Sequence, residues 1–175
     1  KGAKIIAEKI KQKEIVIPLG INIAKTNCAE TANCEGGIKD YIESFKIMKN
    51  LGDYFTLNIS CPNAFGGQPF TNPEYYEALL KKLDKLKIKK PIFVKLSPDL
   101  KEKQIDRLIE ISEKHNIQGF ICTNLTKNGN INSGGYSGEM VKDKSDALLS
   151  YVYKKTKNKK YILIGSGGIF SAEDA

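Results

Sequence analysis

The segment Asn58-Ile-Ser-Cys-Pro-Asn63 holds the residue types best suited to chemistry in this chain. It closes a short apolar run. Its proline stops a strand and fixes a turn, which presents the Cys61 thiol at the strand's end. A thiolate is a competent base or nucleophile. A free thiol titrates above neutrality, so a base of this kind needs a nearby cation or hydrogen-bond donors. The carboxamides of Asn58 and Asn63 each offer a donor and an acceptor, suiting a ligand with amide and carboxylate groups. A strand-ending turn with a buried thiol would explain the cysteine and the proline, but not the two asparagines.

Lys95 lies in Phe93-Val-Lys-Leu-Ser-Pro-Asp99. A lysine inside an apolar strand points into the interior, where an unpaired ammonium is costly. It wants an anionic partner, and a reduced flavin with negative charge near its N1 and O2 would be one. A lysine that snorkels from a strand end is the plainer reading. Gly165-Ser-Gly-Gly168 forms a turn after a strand, whose exposed N–H groups suit phosphate. Gly134-Gly-Tyr-Ser-Gly138 is either a second phosphate or flavin contact or a simple loop. The stretch Ala64-Phe-Gly-Gly-Gln-Pro-Phe70 reads as a lid over substrate or as a surface connection.

The elements that must position these groups repeat along the chain. Apolar runs of strand length occur at residues 15–22, 54–60, 91–97, 119–124 and 161–165. Helical stripes separate them over residues 38–51 and 75–86, at Ile105, Leu108, Ile109 and Ile111, and over residues 145–156. Strict alternation with buried strands implies a parallel sheet with crossover helices. No G-x-G-x-x-G follows the first strand, which sets aside an open dinucleotide-binding sheet. Polar residues recur at the strands' C-terminal ends: Asn22, Asn58 with Ser60 and Cys61, Lys95, Thr123 with Asn124, then the Gly165–Gly168 turn. That is how a (β/α)8 barrel assembles a site. The fold expected is α/β, an incomplete (β/α)8 TIM barrel with about five central β/α units, forming one domain over residues 1–175. A whole barrel of this kind runs to roughly 250 residues. Both ends of the chain also enter helical patterns directly, so it reads as a central fragment. Alone it is expected to be inactive, its strand edges unpaired.

Composition removes other classes. The net charge is +8, yet Arg107 is the only arginine, and the lysines fall mainly on helix faces and turns. Bidentate phosphate or base recognition favours arginine, so the surface reads as solvated lysine and not as a nucleic-acid interface. A basic patch touching an anionic membrane is the second reading. Cys28, Cys34, Cys61 and Cys122 form no C-x-x-C pair, and His115 is the only histidine, so no zinc site of ordinary spacing is present. Reduced thiols in a cytoplasmic protein are the expectation, with Cys122 a small core residue and Cys28 and Cys34 in a polar loop. No apolar run has the length of a membrane span.

Five motifs, in order and spacing, resemble those of dihydroorotate dehydrogenases: Asn58-Ile-Ser-Cys-Pro-Asn63, Phe93-Val-Lys-Leu-Ser-Pro-Asp99, Cys122-Thr-Asn124, Gly134-Gly-Tyr-Ser-Gly138 and Ile164-Gly-Ser-Gly-Gly168. The resemblance covers essentially the whole chain. It implies an FMN-dependent barrel, spanning the third to seventh strands, that oxidises (S)-dihydroorotate to orotate in de novo pyrimidine (UMP) biosynthesis. Cys61 would then be the base that removes the C5 proton. Asn58, Asn63 and Asn124 would hold substrate, and Asn22, Asn58, Lys95 and Thr123 would contact the flavin. Ser137, Gly138, Gly167 and Gly168 would contact its ribityl chain and phosphate.

The class markers point two ways. The quinone-reducing, membrane-associated class usually has Ser as base and Thr after the second Asn. Cys61 and Ala64 stand in those places, as in the soluble classes that use fumarate or NAD. Gly20-Ile-Asn-Ile-Ala-Lys25, Thr123-Asn-Leu-Thr126 and the short loop before Gly134 are similar to the quinone class, and more of the chain sides with it. Quinone is therefore the acceptor expected, with peripheral association at the inner face of the cell membrane and a homodimer compatible with it. A dihydropyrimidine dehydrogenase domain is a close rival, but it has His where Asn63 stands. A phosphate-binding aldolase-like barrel would make Lys95 a Schiff-base residue. A degenerate barrel serving only for interaction would have no use for the asparagines around Cys61.

Overall fold

Proline and aspartate decide where the first strand begins. The computed structural model describes residues 2–127 and 134–174. Pro18 has no N–H to give a ladder. Beyond it, Leu19 and Asp53 close a clasp, with Leu19 N–H donating to Asp53 Oδ2 at 2.7 Å and Asp53 N–H to the Leu19 carbonyl at 2.7 Å. Strand β1 therefore spans Gly20–Ala24, and not the longer run from residue 15. Ile15, Val16 and Ile17 stay exposed, Val16 to 87%. The later strands fall inside their expected runs: β2 (Tyr54–Asn58), β3 (Ile92–Leu96), β4 (Gly119–Cys122) and β5 (Ile162–Gly165).

Helices α1 (Gly2–Lys11), α2 (Cys34–Met48), α3 (Pro73–Asp84), α4 (Glu102–Ser112) and α5 (Lys142–Thr156) complete the units. Local caps set two of the starts. Asn33 Oδ1 accepts from Gly36 N–H at 2.8 Å, which begins α2 earlier than its stripe suggests and places Cys34 on the helix, not in a loop. Asn72 Oδ1 accepts from Glu74 N–H at 2.9 Å, with Pro73 in the first turn of α3.

All strands are parallel, in the order β1-β2-β3-β4-β5. Each crossover thus steps the same way round, as in a barrel wall, whereas a doubly wound sheet reverses direction at a switch point. Neighbouring helices touch in succession from α1 to α5. Side chains alternate between the two faces of each strand. Ile21, Ile23, Phe55, Leu57, Val94, Leu96, Phe120 and Cys122 form the buried core with the helices. The register aligns Ala24, Asn58, Lys95, Ile121 and Ile164 in one row across the sheet, on the opposite face.

Candidate functional site

Beyond the C-terminal ends of β1 to β4, the polar groups form a connected set. Asn58 Nδ2 donates to Asn22 Oδ1 at 3.2 Å, while Asn58 Oδ1 accepts from Ser60 N–H at 3.2 Å and Ser60 Oγ at 3.0 Å. Asn124 Nδ2 donates to the Ser60 carbonyl at 3.0 Å and to Ser60 Oγ at 3.1 Å, and its Oδ1 accepts from Leu125 N–H at 2.9 Å. Ser60 is fully buried and joins two asparagines that lie far apart in sequence. Gln68 Nε2 closes the next loop back onto the Ser60 carbonyl at 3.1 Å. Behind the set, the Tyr41 hydroxyl donates to the Asn58 carbonyl at 2.7 Å.

Cys61 is half-buried beside this cluster. It lines a small cavity with Lys25, Tyr41, Asn58, Ala64 and Gln68. Asn63 is exposed, and among the described residues its carboxamide has no partner. Lys95 is Asn58's partner in the β2–β3 register. Its ammonium meets no acceptor among the described residues, and burial pushes it below the ordinary lysine range. A half-buried cation beside carboxamides with no counter-charge is a feature that an anionic ligand would satisfy.

The two glycine-rich turns converge past β5. Gly138, Gly167 and Gly168 all have left-handed backbone, with φ of 67°, 104° and 79°. A Cβ on Gly168 would fall 2.7 Å from the Lys142 Cα, so only glycine lets this turn approach the start of α5. Among the described residues, the N–H groups of Gly167 and Gly168 donate to no protein acceptor. Ser166 fastens the turn to β4: its N–H donates to the Cys122 carbonyl at 2.6 Å, and its carbonyl accepts from Thr123 N–H at 2.8 Å. Thr123 is buried, and Ser137 is exposed at the rim beside Gly138. The loop before Gly134, residues 128–133, lies outside the described residues.

A family model described as dihydroorotate dehydrogenase matches residues 1–175. The chain belongs to the dihydroorotate dehydrogenase family. A dihydroorotate dehydrogenase (quinone) from Trichodesmium erythraeum is 34% identical, over 100% of this chain and 50% of that protein. One from Acaryochloris marina is 35% identical, over 99% and 49%. A ligand-free type DHODH from Eimeria tenella superposes with a TM-score of 0.79 at 22% identity, covering 98% of this chain and 54% of that one. That likeness establishes the fold as the TIM barrel of this family, here as five successive units. The chain spans about half the length of the curated relatives it matches.

Set in this family's frame, the sequence-predicted residues form two groups. Asn58, Cys61, Asn63, Lys95, Thr123 and Asn124 come from the ends of β2 to β4, Asn22 from the middle of β1 and not its end, and Ser137, Gly138, Gly167 and Gly168 from the rim near α5. The sequence reading missed Ser60 as the hub, Tyr41 and Lys25 as backing groups, and a clamp centred on Asp99. The last had a signal, since a charged residue directly after Ser-Pro at a strand end is held by something. Asp99 Oδ1 accepts from Thr126 Oγ1 at 2.5 Å and Lys144 Nζ at 2.9 Å, and Oδ2 accepts from Lys127 N–H at 3.0 Å. The clamp ties the β3–α4 turn to α5 and to the segment that carries Thr123 and Asn124.

Burial works to raise the Asp99 carboxyl, but hydrogen bonds from Thr126, Lys144 and the Lys127 N–H outweigh it and hold the group below the usual carboxylate range. A carboxylate depressed in the folded state contributes stability above its unfolded value, near 3.9, and loses it as pH falls through the folded one. Asp99→Asn should therefore cost about 1–3 kcal/mol at pH 7. The gap to the wild type should narrow below about pH 4. Urea titrations of the intact protein at the two pH values test this; a gap independent of pH would assign the clamp no charge-dependent role.

Proposed function

We propose that this chain supplies the five central units of an FMN-dependent dihydroorotate dehydrogenase, which oxidises (S)-dihydroorotate to orotate in pyrimidine synthesis and passes the electrons to a quinone. The observation that carries the reading is the meeting of a half-buried thiol, three linked carboxamides and an unpartnered ammonium at the ends of adjacent strands. The donor set fits a flavin mononucleotide. Gly167 and Gly168 offer N–H groups that meet no acceptor among the described residues and suit a phosphate, with Ser137 and Gly138 near them. Lys95 offers a cation for the ring, Asn58 and Thr123 lie at the neighbouring strand ends, and Asn22 reaches Asn58 from the middle of β1. When bound, FMN would supply the acceptor for the hydride leaving C6 of the substrate.

The chain's own residues do the rest. The Cys61 thiolate takes the proton from C5 and becomes a thiol, while the C5–H electron pair enters the new ring double bond. Asn58, Asn63 and Asn124 hold the carboxylate and ring amides, which fixes the C5–H bond towards the sulfur. Ser60 keeps Asn58 and Asn124 in mutual register through its hydroxyl and carbonyl. The relatives named dihydroorotate dehydrogenase (quinone) favour quinone as acceptor, and with it contact with the inner face of the cell membrane. Cys61 and Ala64 favour fumarate or NAD instead, and they are the specific reason to test acceptors separately.

Anaerobic titration of the intact protein with L-dihydroorotate provides the test. The oxidised flavin band should bleach promptly, and dihydrouracil should leave it unchanged. Reoxidation by quinone, but not by fumarate or NAD, would complete the proposal. A flavin that stays oxidised would remove orotate as product, and bleaching by dihydrouracil would favour the dihydropyrimidine reading. Covalent trapping of a carbonyl substrate on Lys95 by borohydride would point to the aldolase-like alternative.

A further inference from the structure

Lys25 is a buried residue, only 8% exposed. Among the described residues its hydrogen-bond partner is not a carboxylate but the carbonyl of Phe65, at 2.5 Å. Two residues on, Asn27 Oδ1 accepts the N–H of that same Phe65 at 2.6 Å. Phe65 is the apex of the loop that starts at Cys61. Its ends are already joined by Gln68 Nε2 on the Ser60 carbonyl, and a tight turn runs from Gly67 N–H to the Ala64 carbonyl at 2.8 Å. Gly66 and Gly67 adopt φ of +76° and +70°, so the turn has little resistance of its own to opening. The apex is therefore gripped on both sides of one residue by the segment that leaves β1.

We propose that Lys25 and Asn27 are positioning residues that latch the Cys61 loop, holding the thiol in line with the carboxamides of Asn58 and Asn124. Lys25 itself lines the cavity beside Cys61, so the latch acts within one side chain of the thiol. On this reading the segment is held in one position against the thiol, and that position determines the proton-transfer step. The consequence for turnover rests on the dihydroorotate reading above; the latch itself does not.

The test uses the intact flavoprotein and two readouts. Phe65 is 55% exposed, and chymotrypsin cuts after phenylalanine once a loop opens locally. Lys25→Met should raise the rate of cleavage at Phe65, followed by mass spectrometry, by roughly tenfold or more, as expected when a local opening equilibrium shifts. The rate of flavin bleaching by dihydroorotate should fall by about 10–100-fold, the loss a small misplacement of a reacting group produces. Flavin content and the apparent dihydroorotate affinity should be unchanged. Lys25→Arg should restore both rates in part, and the exposed Asn27→Ala should move both in the same direction, which keeps the test decisive if Lys25→Met folds poorly. Unchanged cleavage at Phe65 in both variants would overturn the latch. Faster cleavage with bleaching within about twofold of the wild type would overturn the positioning role. A wild type that dihydroorotate does not bleach would sink the proposed function instead, and the cleavage rates would still decide for or against the latch.

Discussion

Cys61→Ala should lower the rate of flavin reduction by dihydroorotate by roughly 10²–10⁴-fold, the range over which a positioned base contributes, while the protein keeps its flavin. The separation of the two effects follows from the geometry. Cys61 lies on the carboxamide side of the cluster, at the mouth of the cavity that Lys25 and Tyr41 line. The glycine turns proposed for the phosphate are at the far rim, near α5. Cys61→Ser should retain part of the rate, because a hydroxyl in the same place can take the C5 proton as it passes its own to water, though it ionises less readily than a thiol. Alkylation gives a second measure. Cys122 is fully buried, and burial pushes its thiol up to about 12; burial also raises Cys34. Cys28 is half-buried, as Cys61 is, so it is the modification that tracks loss of activity that should map to Cys61, and orotate should slow it. A Cys61→Ala protein that is reduced at nearly the wild-type rate would assign the C5 proton to another group.

Much of this arrangement was legible in the sequence because it depends on local rules. Parallel strands buried on both faces read as short apolar runs, and the polar residue ending each run marks the functional end of the sheet. The exceptions have identifiable causes. The run at residues 15–17 has strand composition, but Pro18 cannot enter the ladder and the Leu19–Asp53 clasp sets the start at Gly20. Cys34 appeared to be a loop residue because the signal that caps α2, Asn33, precedes the hydrophobic stripe. Ser60 and Lys25 are of common types and lie in motifs that drew attention for other residues. Their importance comes from partners 64 and 40 positions away, on Asn124 and Phe65, and no periodicity reports such pairs. Asn63 is the converse case: the motif singles it out, while in the folded chain its carboxamide is exposed and meets no partner among the described residues.

Ser60 ties the parts of the site to one another. Its hydroxyl donates to Asn58 and accepts from Asn124, and its carbonyl accepts from both Asn124 and Gln68. The ends of β2 and β4 and the Cys61 loop thus share one buried residue. Networks of this kind hold a single arrangement when every member is satisfied, which is what a proton transfer at fixed distance needs. Asn124 spends both of its donors on Ser60, so its remaining capacity towards a substrate is acceptance at Oδ1.

Lys95→Met is expected to separate binding from stability, with opposite signs. Toward flavin, the loss of a charge-assisted contact of about 1.5–3 kcal/mol should weaken retention by roughly 10–100-fold. The flavin-free protein should instead become more stable, because the ammonium is half-buried and meets no acceptor among the described residues. The pH dependence gives the sign. Burial holds the Lys95 ammonium below the ordinary lysine range, so folding disfavours its charged form at neutral pH. That penalty is present below the folded value and disappears as pH rises past the unfolded one, near 10.4. The advantage of the flavin-free Met variant should accordingly be largest at neutral pH and close as pH approaches about 10.4. Lys95→Arg should not restore flavin retention, since a planar fork does not reproduce a compact point charge at a strand end. Thermal unfolding of flavin-free and flavin-loaded protein, for the wild type and both variants, measures all of this. If Lys95→Met destabilises the flavin-free protein, then the ammonium is already satisfied within the fold, and its role toward the flavin loses its physical basis.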